Sequence, residues 1–234
     1  MGLERLVFFS DAVFAIAITL LVIETRLPEP GEIRTSRDLL SALWSLLPEY
    51  VGFVVSFVVI GSFWMSHHAM FRSVRGYDGA LVVLNMVFLL FVAFMPFPTS
   101  LVGRFSAIPA AEAFYAAWVG LAGLAKLALW AHAARRHGLL DPSMTPRELR
   151  HSTLTMAIPG VVFLISVPLA WVHALAPVAA WIAAPAARLA FGIRRRRPDS
   201  RDRVAEGRAR ESQARPVRAK GRKPADAGGF ERED

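Results

Sequence analysis

The first residue that could do chemistry is an acid in an apolar setting. Asp11 stands inside an otherwise apolar run that begins at Leu6, directly after Ser10 and six residues after Arg5. A carboxylate at the centre of a bilayer costs about 2.5–3.5 kcal/mol on insertion scales. Asp11 therefore calls for a partner, either Arg5 or a residue on a neighbouring helix, or for water. Downstream of it, Ala15, Thr19 and Ile23 recur every fourth residue, and Ile16, Leu20 and Ile23 form an adjoining stripe. A face of small and weakly polar groups bordered by branched aliphatics can line a narrow pore. Rings of aliphatic side chains gate by excluding water, and a ring of threonine hydroxyls can replace part of an ion's hydration. Such a face also suits plain helix–helix packing, which favours Ala and Thr at interfaces. Spacing alone favours packing.

His67 and His68 are the next chemical candidates. Adjacent residues on a helix point about 100° apart, so the pair does not converge on one metal ion. No H-x-x-H or E-x-x-H pattern accompanies them, and no metal site is expected. A hydrogen bond from one imidazole to Ser10 or Asp11, at the same depth, is the expected role. An imidazole there would make that contact sensitive to pH. Lys126 and Arg188 are expected to snorkel along their helices. Glu112 falls near a helix start, where negative charge is favourable.

The elements that must position these residues are long apolar helices. Hydrophobic residues make up 54% of the 234, above the 45–50% of ordinary soluble domains, and the mean hydropathy is +0.40. A spanning helix needs about 20 mostly apolar residues. Six segments qualify: about 7–24, 43–66, 80–101, 110–131, 153–173 and 175–193. Six such runs leave too little polar surface to cover them as the core of a soluble protein. The last two are interrupted by Pro159, Pro168, Pro177 and Pro185, which spanning helices tolerate; the short break near 173–177 fits a tight hairpin or one re-entrant element. The first run lacks a cleavage-site pattern before Glu24 and is read as a retained helix rather than a signal peptide. The fold class is thus an all-α integral membrane protein with six transmembrane helices, covering 1–193.

Charge placement orients the helices. Arg72 and Arg75, then Arg135, Arg136, Arg147 and Arg150, then Arg194 to Arg197 occupy alternate connections. The positive-inside rule places these, and both termini, on the cytoplasmic side. Of 27 basic and 19 acidic residues, 14 and 8 fall in 194–234. That tail is basic, poor in large apolar residues and expected to be disordered and cytoplasmic, with Arg194 to Arg197 anchored on lipid headgroups. The strongly basic balance is therefore a tail property and does not imply a nucleic-acid partner.

Several function classes drop out. There is no cysteine, hence no disulfide scaffold or thiolate-ligated metal. Phosphate-binding, dinucleotide-binding, zinc-protease and nucleophile-elbow patterns are all missing. Neither an enzyme nor a cofactor is expected.

The combination Arg5-x-x-x-Phe9-Ser10-Asp11, followed by Val13-x-Ala15-Ile16-x-Ile18-Thr19-Leu20-Leu21, resembles the signature of the transmembrane protein 175 family of potassium channels. The resemblance is to its prokaryotic members, which carry one six-helix unit per chain where the animal lysosomal members carry two. It extends through Trp64, His67, His68, Asn85 and Pro96-Phe97-Pro98-Thr99 and covers roughly 5–193. It implies a homotetramer in a prokaryotic inner membrane, with a central pore lined by the first helices and no T-V-G-Y-G filter. It implies a constriction at Ile16, Leu20 and Ile23, with Thr19 involved in potassium preference. Arg5, Ser10 and Asp11 would form a structural network holding the pore helix. The expected function is a potassium-permeable, weakly selective cation channel with membrane lipids as its surroundings. A secondary transporter and a proton-conducting protein are the alternatives; a transporter usually carries an internal repeat, and none is evident between 1–101 and 102–193.

Overall fold

The computed structural model describes residues 2–25, 31, 33–172 and 181. These belong to the first of two units into which the chain divides, Met1–Leu189. The expected sixth span, apart from Trp181, and the basic tail lie outside the described residues.

Among the described residues seven helices follow one another: α1 (Leu3–Ile23), α2 (Ser36–Ser45), α3 (Leu47–Phe71), α4 (Gly79–Ala93), α5 (Pro96–Arg104), α6 (Pro109–Arg135) and α7 (Pro146–Leu169). Five segments among the described residues are long and apolar enough to cross a membrane: α1, α3, the α4–α5 pair, α6 and α7. The chain is a multi-pass membrane protein.

Local chemistry sets most boundaries. Thr35 caps α2 by accepting from the Asp38 N–H, while the Asp38 carboxylate accepts from the Thr35 N–H. Thr145 and Glu148 form the same reciprocal cap on α7, which starts seven residues before the expected 153. The second span is likewise shifted from 43–66, because α2 stops at Ser45 and α3 begins afresh at Leu47 with Pro48 in its first turn. The third span, expected as one helix over 80–101, is broken. Pro96 has no N–H to offer Val92. The Met95 N–H takes the Val92 carbonyl instead (3.1 Å). That leaves the Phe91 carbonyl without its usual donor, and the Trp118 indole of α6 supplies one at 3.0 Å. In α7, by contrast, Pro159 and Pro168 are absorbed inside one helix.

Helix α1 packs on α3 and α4, and α6 packs on α4, α5 and above all α7. The α6–α7 contact is close because glycines face each other. A Cβ on Gly123 would lie 2.5 Å from the Gly160 Cα, and one on Gly120 would lie 2.6 Å from a Leu164 methyl. At the Arg-rich end, the α3–α4 and α6–α7 connections are stitched by an antiparallel bridge between Val74 and Leu140. The Arg75 N–H donates to the Leu139 carbonyl and the Asp141 N–H to the Ser73 carbonyl. The Arg75 guanidinium reaches Asp141 at 2.6 Å.

Candidate functional site

Helix α1 presents two unlike faces. Leu6, Ser10, Phe14, Ala17 and Leu21 are buried, spaced three and four apart as a single packed stripe requires. On the opposite side Ala12, Ala15, Ile16, Thr19, Leu20 and Ile23 are exposed in the single chain; Ile16 is 58% exposed and Ile23 73%. Three aliphatic positions from 16 to 23 cover about 10 Å of helix axis. The Thr19 hydroxyl donates to the Ile16 carbonyl at 2.9 Å. Its single proton is therefore committed to the helix, and its oxygen faces outward as an acceptor.

The buried face is fixed by polar contacts as well as packing. The Asn85 amide of α4 donates to the Ser10 hydroxyl at 3.0 Å, and Ser10 donates to the Leu6 carbonyl at 2.9 Å. The Asn85 carbonyl oxygen meets His67 Nε2 at 2.9 Å. With an oxygen facing it, Nε2 carries the proton and donates. Ser10, Asn85 and His67 are all fully buried, so α1, α4 and α3 share one internal hydrogen-bonded chain. Aromatic rings enclose the imidazole: Phe71 at 4.5 Å, Phe14 at 5.5 Å and Phe88 at 5.7 Å between centroids.

Sequence reasoning expected an imidazole bonded directly to Ser10 or Asp11. The structure instead connects His67 to Ser10 through Asn85, because an amide offers both a donor and an acceptor and can bridge two groups too far apart to meet. Asp11 takes its hydrogen bond from the Trp64 indole of α3 at 2.9 Å. Trp64 in turn lies beside His68, 5.9 Å between centroids. Among the described residues no ion pair joins Arg5 to Asp11; Arg5 and Phe9 are exposed. Trp64 and Asn85 were legible only through the family resemblance, since nothing in their own spacing singles them out.

Lys126 departs from expectation more sharply. It does not snorkel but is fully buried. Its ammonium donates to the Ser66 hydroxyl at 2.7 Å and lies 4.8 Å from the Phe63 ring centre. The far end of α1 is tied down by Arg104 of α5, whose guanidinium donates to the Glu24 carbonyl at 3.2 Å and stands 4.0 Å from its carboxylate. Among the described residues no three potential metal ligands come together.

Outside the spans, Asp78 caps α4 and accepts from His132 at 2.9 Å. The Leu81 N–H, and then His132, hold its carboxyl below the ordinary range. Asp141 is held lower still, first by the Ser143 hydroxyl and N–H and then by Arg75.

Comparison with known proteins meets this geometry at the same residues. The family model described as endosomal/lysosomal potassium channel TMEM175 matches residues 5–96, the stretch that holds α1 from Arg5 onward, Trp64, His67 and Asn85. A potassium channel of Streptomyces collinus is 37% identical over 183 residues, 75% of this chain and 86% of that one. The human endosomal/lysosomal proton channel TMEM175 is 32% identical over 151 residues, 60% of this chain and 30% of that one. The crystal structure of a lysosomal potassium-selective channel TMEM175 homologue from Chamaesiphon minutus superimposes with a TM-score of 0.71 at 30% identity, over 82% of this chain and 97% of that one. The matches point to an ion-channel family, and the chain belongs to the TMEM175 family.

Proposed function

We propose that this protein is a potassium-permeable, weakly selective cation channel, assembled as a homotetramer around the open faces of four α1 helices. It would sit in a prokaryotic inner membrane with both termini in the cytoplasm. The observation that carries the reading is the asymmetry of α1. One face is locked to α3 and α4 by buried hydrogen bonds, while Ile16, Thr19, Leu20 and Ile23 lie together on the face this chain leaves uncovered. One α1 cannot enclose a pathway, so a closed ring of copies is required. In that ring Ile16, Leu20 and Ile23 form a dry constriction that sets the barrier. Thr19 oxygens offset part of the hydration a potassium ion sheds there. Asp11 anchors the pore helix through Trp64 and does not bind the ion. The relatives named as potassium channels support potassium as the permeant ion.

The test is ion flux in liposomes under imposed potassium, sodium and proton gradients, beside mass measurement in nanodiscs. Non-saturating potassium flux from a tetramer supports the proposal. Slow, saturating exchange, or conduction by a strict monomer, overturns it. Proton conduction is the second reading, favoured by the human relative's description as a proton channel. Flux that persists unchanged when potassium and sodium are replaced by an impermeant cation would select it.

A further inference from the structure

The opposite end of the bundle from His67 holds a cavity that the pore reading does not use. It measures about 320 Å3 and lies between the start of α3, the end of α5 and the first turns of α6. Its size falls at the lower end of small-molecule pockets, about 300–1,000 Å3. The walls are mainly hydrocarbon, from Leu47, Val51, Val55 and Val102. Tyr115 and Trp181 add an aromatic corner, their rings 4.8 Å apart.

One group is out of place there. Glu112 lines the cavity and is 3% exposed, and its Oε2 is enclosed without a hydrogen-bond partner among the described residues. The other buried polar groups nearby are already satisfied. The Tyr115 hydroxyl meets Ser56 at 3.0 Å, and Thr99 bonds both Ser56 and the Met95 carbonyl at 2.8 Å. The Trp181 indole donates to Ser166 at 2.9 Å. A carboxylate oxygen enclosed without a donor is costly. Glu112 sits in the first turn of α6, at the positive end of the helix dipole. The missing complement is a donor, and an ammonium supplies one together with the positive charge that holds the carboxyl ionised; the surrounding walls ask for an apolar body attached to it.

We propose that this cavity binds a protonated amine bearing a compact apolar or aromatic group. The ammonium donates to Glu112 Oε2, and the apolar group packs against Tyr115, Trp181 and the α3 wall. The two rings add cation–π attraction. The site is separate from the α1 face and stands whether or not that face lines a pore.

The experiment is calorimetric titration of the full chain in nanodiscs with phenethylammonium and with 2-phenylethanol, which has the same body without the charge. Empty nanodiscs give the partitioning background. The amine should bind about tenfold or more tightly than the alcohol, the scale of one charge-assisted hydrogen bond. Glu112→Gln should remove that preference while alcohol binding persists. Val55→Phe, which fills the cavity and keeps the carboxylate, should weaken both ligands. No preference for the amine in the wild-type protein, a preference that survives Glu112→Gln, or amine affinity unchanged by Val55→Phe would each overturn the proposal. If either variant fails to fold, the wild-type comparison and the other variant decide.

Discussion

Helix α1 is the most hydropathic of the five spans and α6 the least, yet only 28% of the apolar window of α1 is enclosed against 56% of that of α6. In a water-soluble protein the order would be reversed, because burial there follows apolarity. In lipid the hydrocarbon surroundings are as apolar as leucine, so apolarity does not drive helices together. Small residues and polar pairs do. Helix α6 is enclosed because Gly120 and Gly123 let α7 approach to backbone contact, and because Lys126, Tyr115 and Trp118 find partners on neighbouring helices. Helix α1 holds its place by Ser10 and Asp11 and leaves its branched aliphatics to whatever faces them.

The largest test of this contrast lies on α6. Gly123→Leu places side-chain atoms where the Gly160 backbone stands. It should cost more than the usual 1–3 kcal/mol of overpacking, read as loss of folded protein in a detergent melting assay. Gly61→Leu, where a Cβ meets nothing within 4 Å, should leave the melting temperature nearly unchanged. If both behave alike, glycine-mediated approach is not what encloses α6.

The anchored face of α1 comes next. Asn85→Ala removes the bridge between Ser10 and His67; Ser10 keeps its bond to the Leu6 carbonyl, but the buried His67 Nε2 loses its partner, an expected loss of roughly 1–3 kcal/mol. Asp11→Ala should likewise reduce folding or assembly and leave selectivity intact. A well-folded Asp11→Ala protein with altered ion preference would instead make Asp11 an ion ligand.

On the open face the expected effect shifts from stability to flux. Ile16→Asn should hardly move the melting temperature, because within the chain the residue is 58% exposed and in the proposed tetramer it faces the pathway rather than a packed core. It should raise potassium and sodium flux together by about tenfold, equivalent to ~1.4 kcal/mol off the barrier. Thr19→Val keeps the shape and removes the hydroxyl oxygen. It should lower potassium preference only a few-fold, within the ~0.5–1.5 kcal/mol net worth of one hydrogen bond. Unchanged flux in both variants would return the open face of α1 to plain packing.

The smallest effect belongs to the stitched loops beyond α6. Ser143 and Arg75 depress the Asp141 carboxyl below its ordinary value of 3.8. A depressed acid stabilises the fold above its unfolded pKa and loses that contribution as pH falls through the folded one. Asp141→Asn should therefore lower the melting temperature slightly near pH 7, and the gap to the wild type should close as the pH drops below about 4. A gap that widens on acidification would contradict the sign.

Much of this protein was legible from residues alone. Five apolar runs of membrane length appear as the spans α1, α3, α4–α5, α6 and α7, because the thickness of hydrocarbon dictates helix length whatever the helix packs against. The anomaly of Asp11 was legible for the same reason, since its cost in lipid is independent of fold. Its partner was not. Trp64 is 53 residues away, and which of several polar groups meets Asp11 depends on how α3 is rotated against α1. The break at Met95 was missed, because 80–101 is apolar throughout and was read as one helix; Pro96 removes the N–H that would continue it, and the indole that compensates comes from α6. Lys126 was misread because its own helix offers a snorkelling route; only the approach of α3 places Ser66 and Phe63 within its reach. Composition and period act along one helix and are carried by the chain itself. Hydrogen-bond partners, enclosed cavities and the division of α1 into a held face and an open one arise between helices, where rotation and approach distance decide, and those belong to the tertiary structure.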